Sequence, residues 1–181
     1  MNRFHLIALP LLALLSLYVE TAVAWPRLLL GAQIATLPAL IVFAALRVSF
    51  PALLTLLVLG ALWRDAISAD PLGLSLLSLA AVGTTIHFNR KIIVADQFYA
   101  RFMVGAIAGA VVPLLMLLQL FTFGHEPLAG RFFAWQLAVM SVGSGLLVPF
   151  YFRLFDGLEQ AFIHPVAAPD PRALRRNQTR R

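Results

Sequence analysis

Any chemistry in this sequence would have to come from a few ionisable side chains near the ends of long apolar segments. Asp65 follows Arg64 at the end of one such segment, and Asp70 lies five residues further along. A charge placed in or beside lipid is costly, which makes such a residue a functional candidate by default. The sequence leaves two interpretations of Asp65 open: a solvated loop acid paired with Arg64, or an acid with a structural or partner-binding role.

No catalytic or metal-binding constellation surrounds these two acids. Asp65 and Asp70 are not joined by the further acid, His or Asn cluster that acid-base catalysis or a cation site would require. The histidines are scattered without the paired spacing of a zinc site, and we interpret them as interfacial residues: His5, His87, His125 and His164. The sequence has no cysteine, so thiolate chemistry is excluded. We expect a protein that is not an enzyme and has no metal or cofactor.

Small residues in the last two apolar segments predict a close contact between helices. Two small-xxx-small pairs lie there, Gly105 with Gly109 and Ser141 with Gly145. Small side chains let two helix backbones approach closely, and we expect these pairs to serve packing inside the bundle more than partner binding. Gln119 and Gln136 lie in the same two segments, and we expect them to hydrogen-bond across that contact.

The composition is typical of a membrane protein. Of the 181 residues, 61% are hydrophobic and 12% are charged, and the mean hydropathy is +0.87. The hydrophobic share and the mean hydropathy are higher, and the charged share is lower, than in water-soluble domains of this length. The unbroken Leu, Ala and Val runs favour helices over the alternating pattern of an outer-membrane strand. The predicted fold class is therefore all-α.

Six apolar segments approach the length of about 20 residues that a helix needs to cross a membrane. We predict spans at about 4–24, 28–46, 50–67, 72–88, 102–123 and 132–155, within a transmembrane domain over residues 1–164. The polar connection Asn89 to Arg101 is predicted to form a short helix at the headgroup level. Residues 165–181 are rich in proline and arginine and are predicted to be a disordered basic tail.

The distribution of basic residues predicts that both termini are cytoplasmic, because basic loops resist translocation. With six spans and a cytoplasmic N-terminus, 11 of the 14 Lys and Arg residues lie inside and 3 outside. The inside set is Arg3, Arg47, Arg90, Lys91, Arg101, Arg153, Arg172, Arg175, Arg176, Arg180 and Arg181, and the outside set is Arg27, Arg64 and Arg131. Topology and tail contact with anionic lipid account for the net charge of +6, so we do not expect nucleic-acid binding.

The first apolar segment has a second interpretation, as a signal peptide. Ala22, Val23 and Ala24 form a small-residue pattern at which cleavage would leave a chain starting at Trp25. Glu20, inside the would-be cleavage region, argues against cleavage. Because cleavage would leave the remaining spans facing the same way, the charge distribution does not decide between a cleaved and a retained first segment.

The stretch from Gly60 to Gly73 resembles the signature of the MreD family of bacterial rod-shape proteins. In that signature an apolar helix that contains glycine ends in an aspartate, and a small-residue turn and a Leu-Gly pair open the next helix. Asp65, Leu72 and Gly73 match this spacing. Gly60 lies one place further from the aspartate than in the family pattern.

The resemblance extends from Pro38 to Glu159, which is most of the chain. Pro38 resembles the family proline of the preceding span, and Ser144-Gly145 with Pro149 resembles the Asn-Gly and proline of the last helix. Position 144 holds Ser where the family has Asn. The residues that carry the resemblance and the GxxxG pair are our candidate structural or partner-binding positions: Asp65, Gly73, Gly105, Gly109, Ser144, Gly145 and Pro149.

The resemblance implies a non-catalytic scaffold of the cell-wall elongation (rod-shape) complex in the bacterial plasma (inner) membrane, which helps to maintain cell shape. The partners that it implies are an MreC-like bitopic protein, an MreB-like filament, and the glycosyltransferase and transpeptidase of wall synthesis. Anionic lipids at the basic tail complete the expected partners.

The span layout is also similar to that of the substrate-binding membrane subunits of energy-coupling-factor vitamin transporters. This similarity implies an alternative function, the capture of a small molecule in an outward-facing cavity that needs convergent polar or aromatic groups. The predicted outward loops offer Trp25, Trp63, Arg64, Asp65 and Asp70. The sequence leaves both functions open.

The predicted orientation can be tested with reporter fusions at two points of the chain. A fusion after Ile92 is expected to report the cytoplasm and a fusion after Phe123 the periplasm, because the basic residues cluster around the first point and not the second. Paired alkaline phosphatase and green fluorescent protein fusions measure this. The reverse pattern would contradict the predicted orientation.

Overall fold

The computed structural model of the chain describes residues 3–22, 31–68, 71, 73–93, 97–124 and 131–163, with side chains except at 3–8, 131 and 159–163. Within these ranges it contains six α-helices and no strand, so the predicted all-α fold is confirmed. The helices are α1 (Arg3–Ala22), α2 (Thr36–Arg47), α3 (Phe50–Ile67), α4 (Leu74–Asn89), α5 (Phe98–Thr122) and α6 (Arg131–Ile163). The chain divides into two compact units, 1–151 and 152–181, and the packing discussed below lies in the first.

Three of the described helices are long and apolar enough to cross a membrane, which identifies the chain as a membrane protein. They are α3, α5 and the part of α6 between Phe132 and Leu158. At 1.5 Å per residue the 25 residues of α5 extend for about 37 Å, more than the hydrocarbon thickness of about 30 Å. Helix α3 has the bounds that the sequence predicted.

The prediction of six full spans, with the transporter-subunit layout, is not supported by the described helices. The segments predicted at 4–24, 28–46 and 72–88 contain the shorter apolar helices Leu9–Ala22, α2 and α4. The largest difference is at α2, whose 12 residues extend for only about 18 Å. The predicted start of this segment, chosen by hydrophobicity, is too early. Hydrophobicity does not show where the first N–H groups of a helix find hydrogen-bond acceptors.

Helix α2 begins at Thr36, and residues 31–35 before it are not helical. The Glu20 carboxylate, near the end of α1, accepts hydrogen bonds from the Thr36 backbone N–H (3.0 Å) and from the Thr36 hydroxyl (2.8 Å). Pro38 then lies in the first turn, where its missing N–H costs nothing, whereas in a longer helix its ring would meet the carbonyl of Ile34. An acid from α1 and a proline together determine where α2 begins.

Helix α2 is the centre of the bundle. The nine consecutive residues from Leu37 to Ala45 are all buried, and α2 contacts α1, α3, α4 and α5. Because these residues are buried on every side of the helix, the neighbouring helices enclose α2. The remaining helices of the first unit are therefore organised around a short buried element.

The N-terminus of α2 lies halfway through the bundle and not at its end. The Ser144 hydroxyl of α6 donates to the carbonyl oxygen of Ala35 (3.3 Å), and Ser144 also packs against Gly109, the twelfth residue of α5. Non-helical backbone at the middle of a membrane is tolerated only where it is buried in protein or lines a water-filled cavity. Three of the residues before α2 meet this condition, since Ala32 and Ala35 are buried and Gln33 lines a cleft.

The predicted short helix between Asn89 and Arg101 is not present among the described residues of this connection. Helix α4 continues to Asn89, a turn follows over Arg90 to Ile92, and α5 begins at Phe98, so Arg101 belongs to α5. Ala100, Arg101 and Met103 are good helix formers in the first turns of α5, and extending an existing helix is easier than nucleating a separate one. The Arg90 guanidinium donates to the Val48 carbonyl oxygen (3.1 Å) and ties this turn to the end of α2.

Replacing Glu20 with Ala is expected to destabilise the bundle. The variant removes the acceptor of the Thr36 N–H and hydroxyl at a part-buried site, which costs about 1–3 kcal/mol for each donor left unpaired. Thermal unfolding in detergent, followed by circular dichroism, measures the change. Thr21→Ala is the control, because that hydroxyl donates only within its own helix, to the Tyr18 carbonyl oxygen. Equal unfolding temperatures for the two variants would contradict the role of Glu20.

Candidate functional site

Asp65 is a buried acid that joins α3 to α4. Its side chain lies in the last turn of α3 and is 2% exposed. One carboxylate oxygen accepts the Gly73 N–H (2.7 Å) and the other accepts the Ser75 N–H (3.3 Å). These N–H groups open α4, and the N-terminal end of a helix also favours a negative charge. The burial of Asp65 does not fit the interpretation as a solvated loop acid.

The turn before α4 depends on glycine at position 73. Gly73 has φ +94°, in the left-handed region that side chains with a Cβ rarely adopt. Ser75, the next residue held by Asp65, is fully buried, and its hydroxyl has no hydrogen-bond partner among the described residues. Asp65 and Gly73 thus belong to one structural unit, while Asp70 and Leu72 of the same stretch lie outside the described residues.

Gly105 and Gly109 lie where the backbones of α5 and α6 meet. A Cβ on Gly105 would lie 2.7 Å from Val148 Cγ2 and 2.8 Å from the Ser144 carbonyl oxygen. A Cβ on Gly109 would lie 2.7 Å from the Met140 carbonyl oxygen and 2.7 Å from Ser144 Oγ. Separations below 3.0 Å do not occur for real Cβ atoms, so the present distance between α5 and α6 requires glycine at both positions.

On the other side of this contact, Gly145 of α6 lies equally close to α5. A Cβ on Gly145 would lie 2.9 Å from the ring of Phe102 and 3.1 Å from its carbonyl oxygen. The Ser141 hydroxyl donates to the Ala106 carbonyl oxygen (2.8 Å), which adds a hydrogen bond between the two helices. Pro149, four residues after Gly145, is buried within α6 and supplies no N–H to the Gly145 carbonyl. Both small-residue pairs therefore lie at one helix contact.

Ser144 connects this contact to the central helix. It is fully buried, packs against Gly109, and donates to the Ala35 carbonyl oxygen just before α2. A short side chain is needed here, because Ser144 Oγ already lies within 2.7 Å of the position that a Gly109 Cβ would take. The residue at 144 thus meets two helices at once.

The expected hydrogen bond between Gln119 and Gln136 is not formed. The Gln119 amide donates to the Ser78 hydroxyl of α4 (3.0 Å), while Gln136 is exposed at a cleft that involves other helices. Gln119 comes ten residues after Gly109, and at about 100° per residue it lies roughly 80° around α5 from the glycine face. The two amides lie in the two helices that contact each other, but their side chains do not face each other.

His87 lies in the last turn of α4, beside the basic turn that begins at Arg90, and its side chain is buried. It is 8% exposed, its Nδ1 lies 3.0 Å from the Ala45 carbonyl oxygen, and its ring lies 5.5 Å from that of Phe50. The side chain of His5, and both His125 and His164, lie outside the described residues. Among the described residues no group of three His, Asp or Glu side chains could hold a metal ion.

A polar cleft of about 410 Å³ lies between α1, α3, α6 and the non-helical residues before α2. Its lining residues are Leu17, Glu20, Thr21, Gln33, Arg64, Ile67, Ser68, Gln136 and Met140. The sequence does not predict this site, because its polar residues are far apart along the chain and only Arg64 belongs to the predicted outward loops. The available signal was that Glu20, Gln33 and Gln136 each interrupt an apolar segment.

Comparison with protein-family models, curated proteins and solved structures finds no match to this chain. The resemblance to the MreD family therefore depends on the residues quoted for it, Asp65, Gly73, Ser144, Gly145 and Pro149 among them.

Gly109→Leu is expected to separate α5 from α6. The larger side chain has to displace the Met140 backbone and Ser144, and overpacking of this kind costs about 1–3 kcal/mol or more. The unfolding temperature in detergent is the measurement. Ile107→Leu is the matched control, since Ile107 lies on the same helix and is 61% exposed. If Gly109→Leu unfolds at the same temperature as this control, the packed glycine face is not present in the protein.

Asp65→Ala is expected to destabilise the α3 to α4 connection, because two N–H groups lose their acceptor at about 1–3 kcal/mol each. Ser75→Ala is the contrasting variant: it removes a buried hydroxyl without a described partner and leaves the backbone N–H in place, so stability should be unchanged or higher. Chemical unfolding of both purified variants measures the difference. Equal stabilities would show that Asp65 does not anchor the turn.

Proposed function

We propose that the protein is a non-catalytic, multi-pass scaffold of the cell-wall elongation complex in the bacterial plasma membrane. In this proposal it helps to maintain cell shape together with an MreC-like bitopic protein, an MreB-like filament and the wall-synthesis glycosyltransferase and transpeptidase. The residues that resemble the MreD family supply the link to this complex. Their arrangement in the structure is the support that goes beyond the sequence.

The observation that carries the proposal is the hydrogen-bonded unit made by Asp65 with Gly73 and Ser75. Two residues that match the family spacing are in direct contact here, at a buried junction between consecutive helices. Such a junction fixes the relative positions of α3 and α4 and leaves no reactive group exposed. The spacing of Asp65 and Gly73 is explained by a structural role, in which the two residues hold α3 and α4 together, and it requires no catalytic function.

The contact between α5 and α6 supports the same role. Helices in lipid associate through close packing and hydrogen bonds, because lipid tails are as apolar as the helix surfaces. Ser144 and Gly145, which resemble the family pair, lie at this contact together with Gly105 and Gly109. A bundle held in this way presents fixed outer faces to partner helices, as a membrane scaffold requires.

Both termini are assigned to the cytoplasm in this proposal. The basic side chains Arg47, Arg90, Lys91 and Arg101 lie at the end of the bundle where α2 and α4 finish and α5 begins. Arg64 lies at the opposite end, where α3 finishes. The positive-inside rule then directs the first end to the cytoplasm, where the basic tail would contact anionic lipids.

The polar cleft favours the alternative, a substrate-binding membrane subunit of a small-molecule transporter. It lies in the half of the bundle away from the basic cluster and brings Glu20, Arg64 and Gln136 together. Convergent polar groups in a concave site are what such a subunit needs. The two functions differ in their cellular consequences, which makes them separable by one depletion experiment.

Depletion of the protein from a rod-shaped host cell is expected to produce round, wider cells, because the wall-elongation enzymes would lose their membrane scaffold. Cell width by microscopy is the readout. Uptake of labelled vitamins in the same cells is the control for the alternative. Unchanged width together with failed uptake would replace the scaffold function with the transporter function.

The scaffold is also expected to co-purify with an MreC-like partner from native membranes. Truncation after Pro165 should leave this association intact, because the arginine-rich tail is better explained by contact with anionic lipids and by orientation. Quantitative pull-down of full-length and truncated chains measures this. Loss of the partner on truncation would assign recognition to the tail and not to the helices.

A further inference from the structure

We propose that the polar cleft is a binding site for a phosphate-type oxyanion, carried by a lipid headgroup or by a free small molecule, with Arg64 as its main ligand. The inference goes beyond the scaffold function and does not depend on it. It follows from the charges that line the cleft, from the level of the cleft in the bundle and from its shape.

The charge of Arg64 is not neutralised within the described part of the chain. Arg64 is half-buried in the cleft wall, and no acid among the described residues forms an ion pair with it. Its sequence neighbour Asp65 is committed to the Gly73 and Ser75 N–H groups of α4. A guanidinium stays charged at all relevant pH values and has a planar set of donors that matches a phosphate.

The second charged group of the cleft, Glu20, forms no ion pair with Arg64 and is bonded to other groups. The Glu20 carboxylate already accepts hydrogen bonds from the Gln33 amide (3.1 Å) and from both the N–H and the hydroxyl of Thr36. Its charge is therefore directed at the N-terminus of α2. Arg64 remains as the group that an incoming anion would meet, and the exposed Gln136 amide offers a further donor in the same lining.

The level of the cleft strengthens this attraction. Met140 and Gln136 precede Ser144 by four and eight residues, so they lie about 6 and 12 Å along α6 from the middle of the bundle. The hydrocarbon half-thickness is about 15 Å, which puts both residues at the depth of the membrane. Low-dielectric walls around a cleft focus the field of its charged groups, which raises the attraction of an anion to the guanidinium.

The shape of the cleft indicates an amphipathic ligand of modest size. Leu17, Ile67 and Met140 supply apolar wall beside the polar groups. The volume of about 410 Å³ lies in the range of about 300–1,000 Å³ that is typical of small-molecule sites. A phosphate with a short organic group fits both the polar and the apolar part of this lining.

The proposal can be tested by binding to the full-length purified chain. The soluble probes are inorganic phosphate and glycerol 3-phosphate, titrated in neutral detergent and followed by calorimetry. The lipid probe is phosphatidylglycerol, whose retention is counted by native mass spectrometry after extraction from nanodiscs. Saturable binding of a soluble probe indicates a free ligand, and retention of the lipid alone indicates a headgroup.

Arg64→Gln is expected to weaken binding at least tenfold, and Arg64→Lys to weaken it less, because lysine keeps the charge and loses the planar donor set. Lys91→Gln is the matched control: it removes the same charge from an exposed residue at the opposite end of the bundle and should bind as the unchanged protein does. The unfolding temperature of each variant without ligand verifies that it is folded.

Three outcomes would overturn the proposal. They are the absence of binding for every probe, unchanged binding by Arg64→Gln, and an equal loss for Lys91→Gln, which would indicate attraction to net charge alone. Because the readout is binding by the purified chain, none of these outcomes bears on the cell-shape experiment that tests the scaffold function.

Discussion

A backbone N–H that is buried in the bundle has no water to bond with, so a helix whose first residues are buried needs an acceptor from the protein itself. Here the acceptors are carboxylates from the preceding helix. Glu20 of α1 accepts the Thr36 N–H at the start of α2, and Asp65 of α3 accepts the Gly73 and Ser75 N–H groups at the start of α4. Each acid lies two residues before its own helix ends. The same kind of hydrogen bond thus joins α1 to α2 and α3 to α4. Both acids therefore have a structural role.

The polar cleft is a consequence of this arrangement. Because α2 starts at the middle of the bundle, the chain before it is non-helical there, and Gln33 lines the cleft in place of a further helical turn. The cap made by Asp65 holds the last turn of α3, which carries Arg64 into the cleft wall. The cap made by Glu20 holds the part of the lining that contains Gln33. The two capping acids therefore position the group that we propose as an anion ligand without competing for it.

A second constraint, the absence of side chains, determines how α5 meets α6. At Gly105 and Gly109 the two backbones are too close for a Cβ, and Ser144 extends the contact to the residue before α2. The hydrogen bond from Ser144 thereby fixes the position of the long helix α6 relative to the start of the short helix α2. Met140 belongs to both this contact and the cleft, but Arg64 lies only at the cleft, so the proposed anion ligand can be changed without altering the contact.

The sequence by itself determined the fold class, the bounds of α3, and the small-residue pairs that meet between α5 and α6, because hydrophobicity and residue size are local properties. It also singled out Asp65 and Gly73 through their spacing. The start of α2, the burial of His87 and the partner of Gln119 were decided only by the tertiary structure. Each of these three features depends on a group from another helix. The sequence of an apolar segment does not show which neighbouring helix supplies its hydrogen-bond partners. The cleft is the clearest case, since its polar residues lie in four separate segments and converge only when the caps of Glu20 and Asp65 have placed α2 and α4.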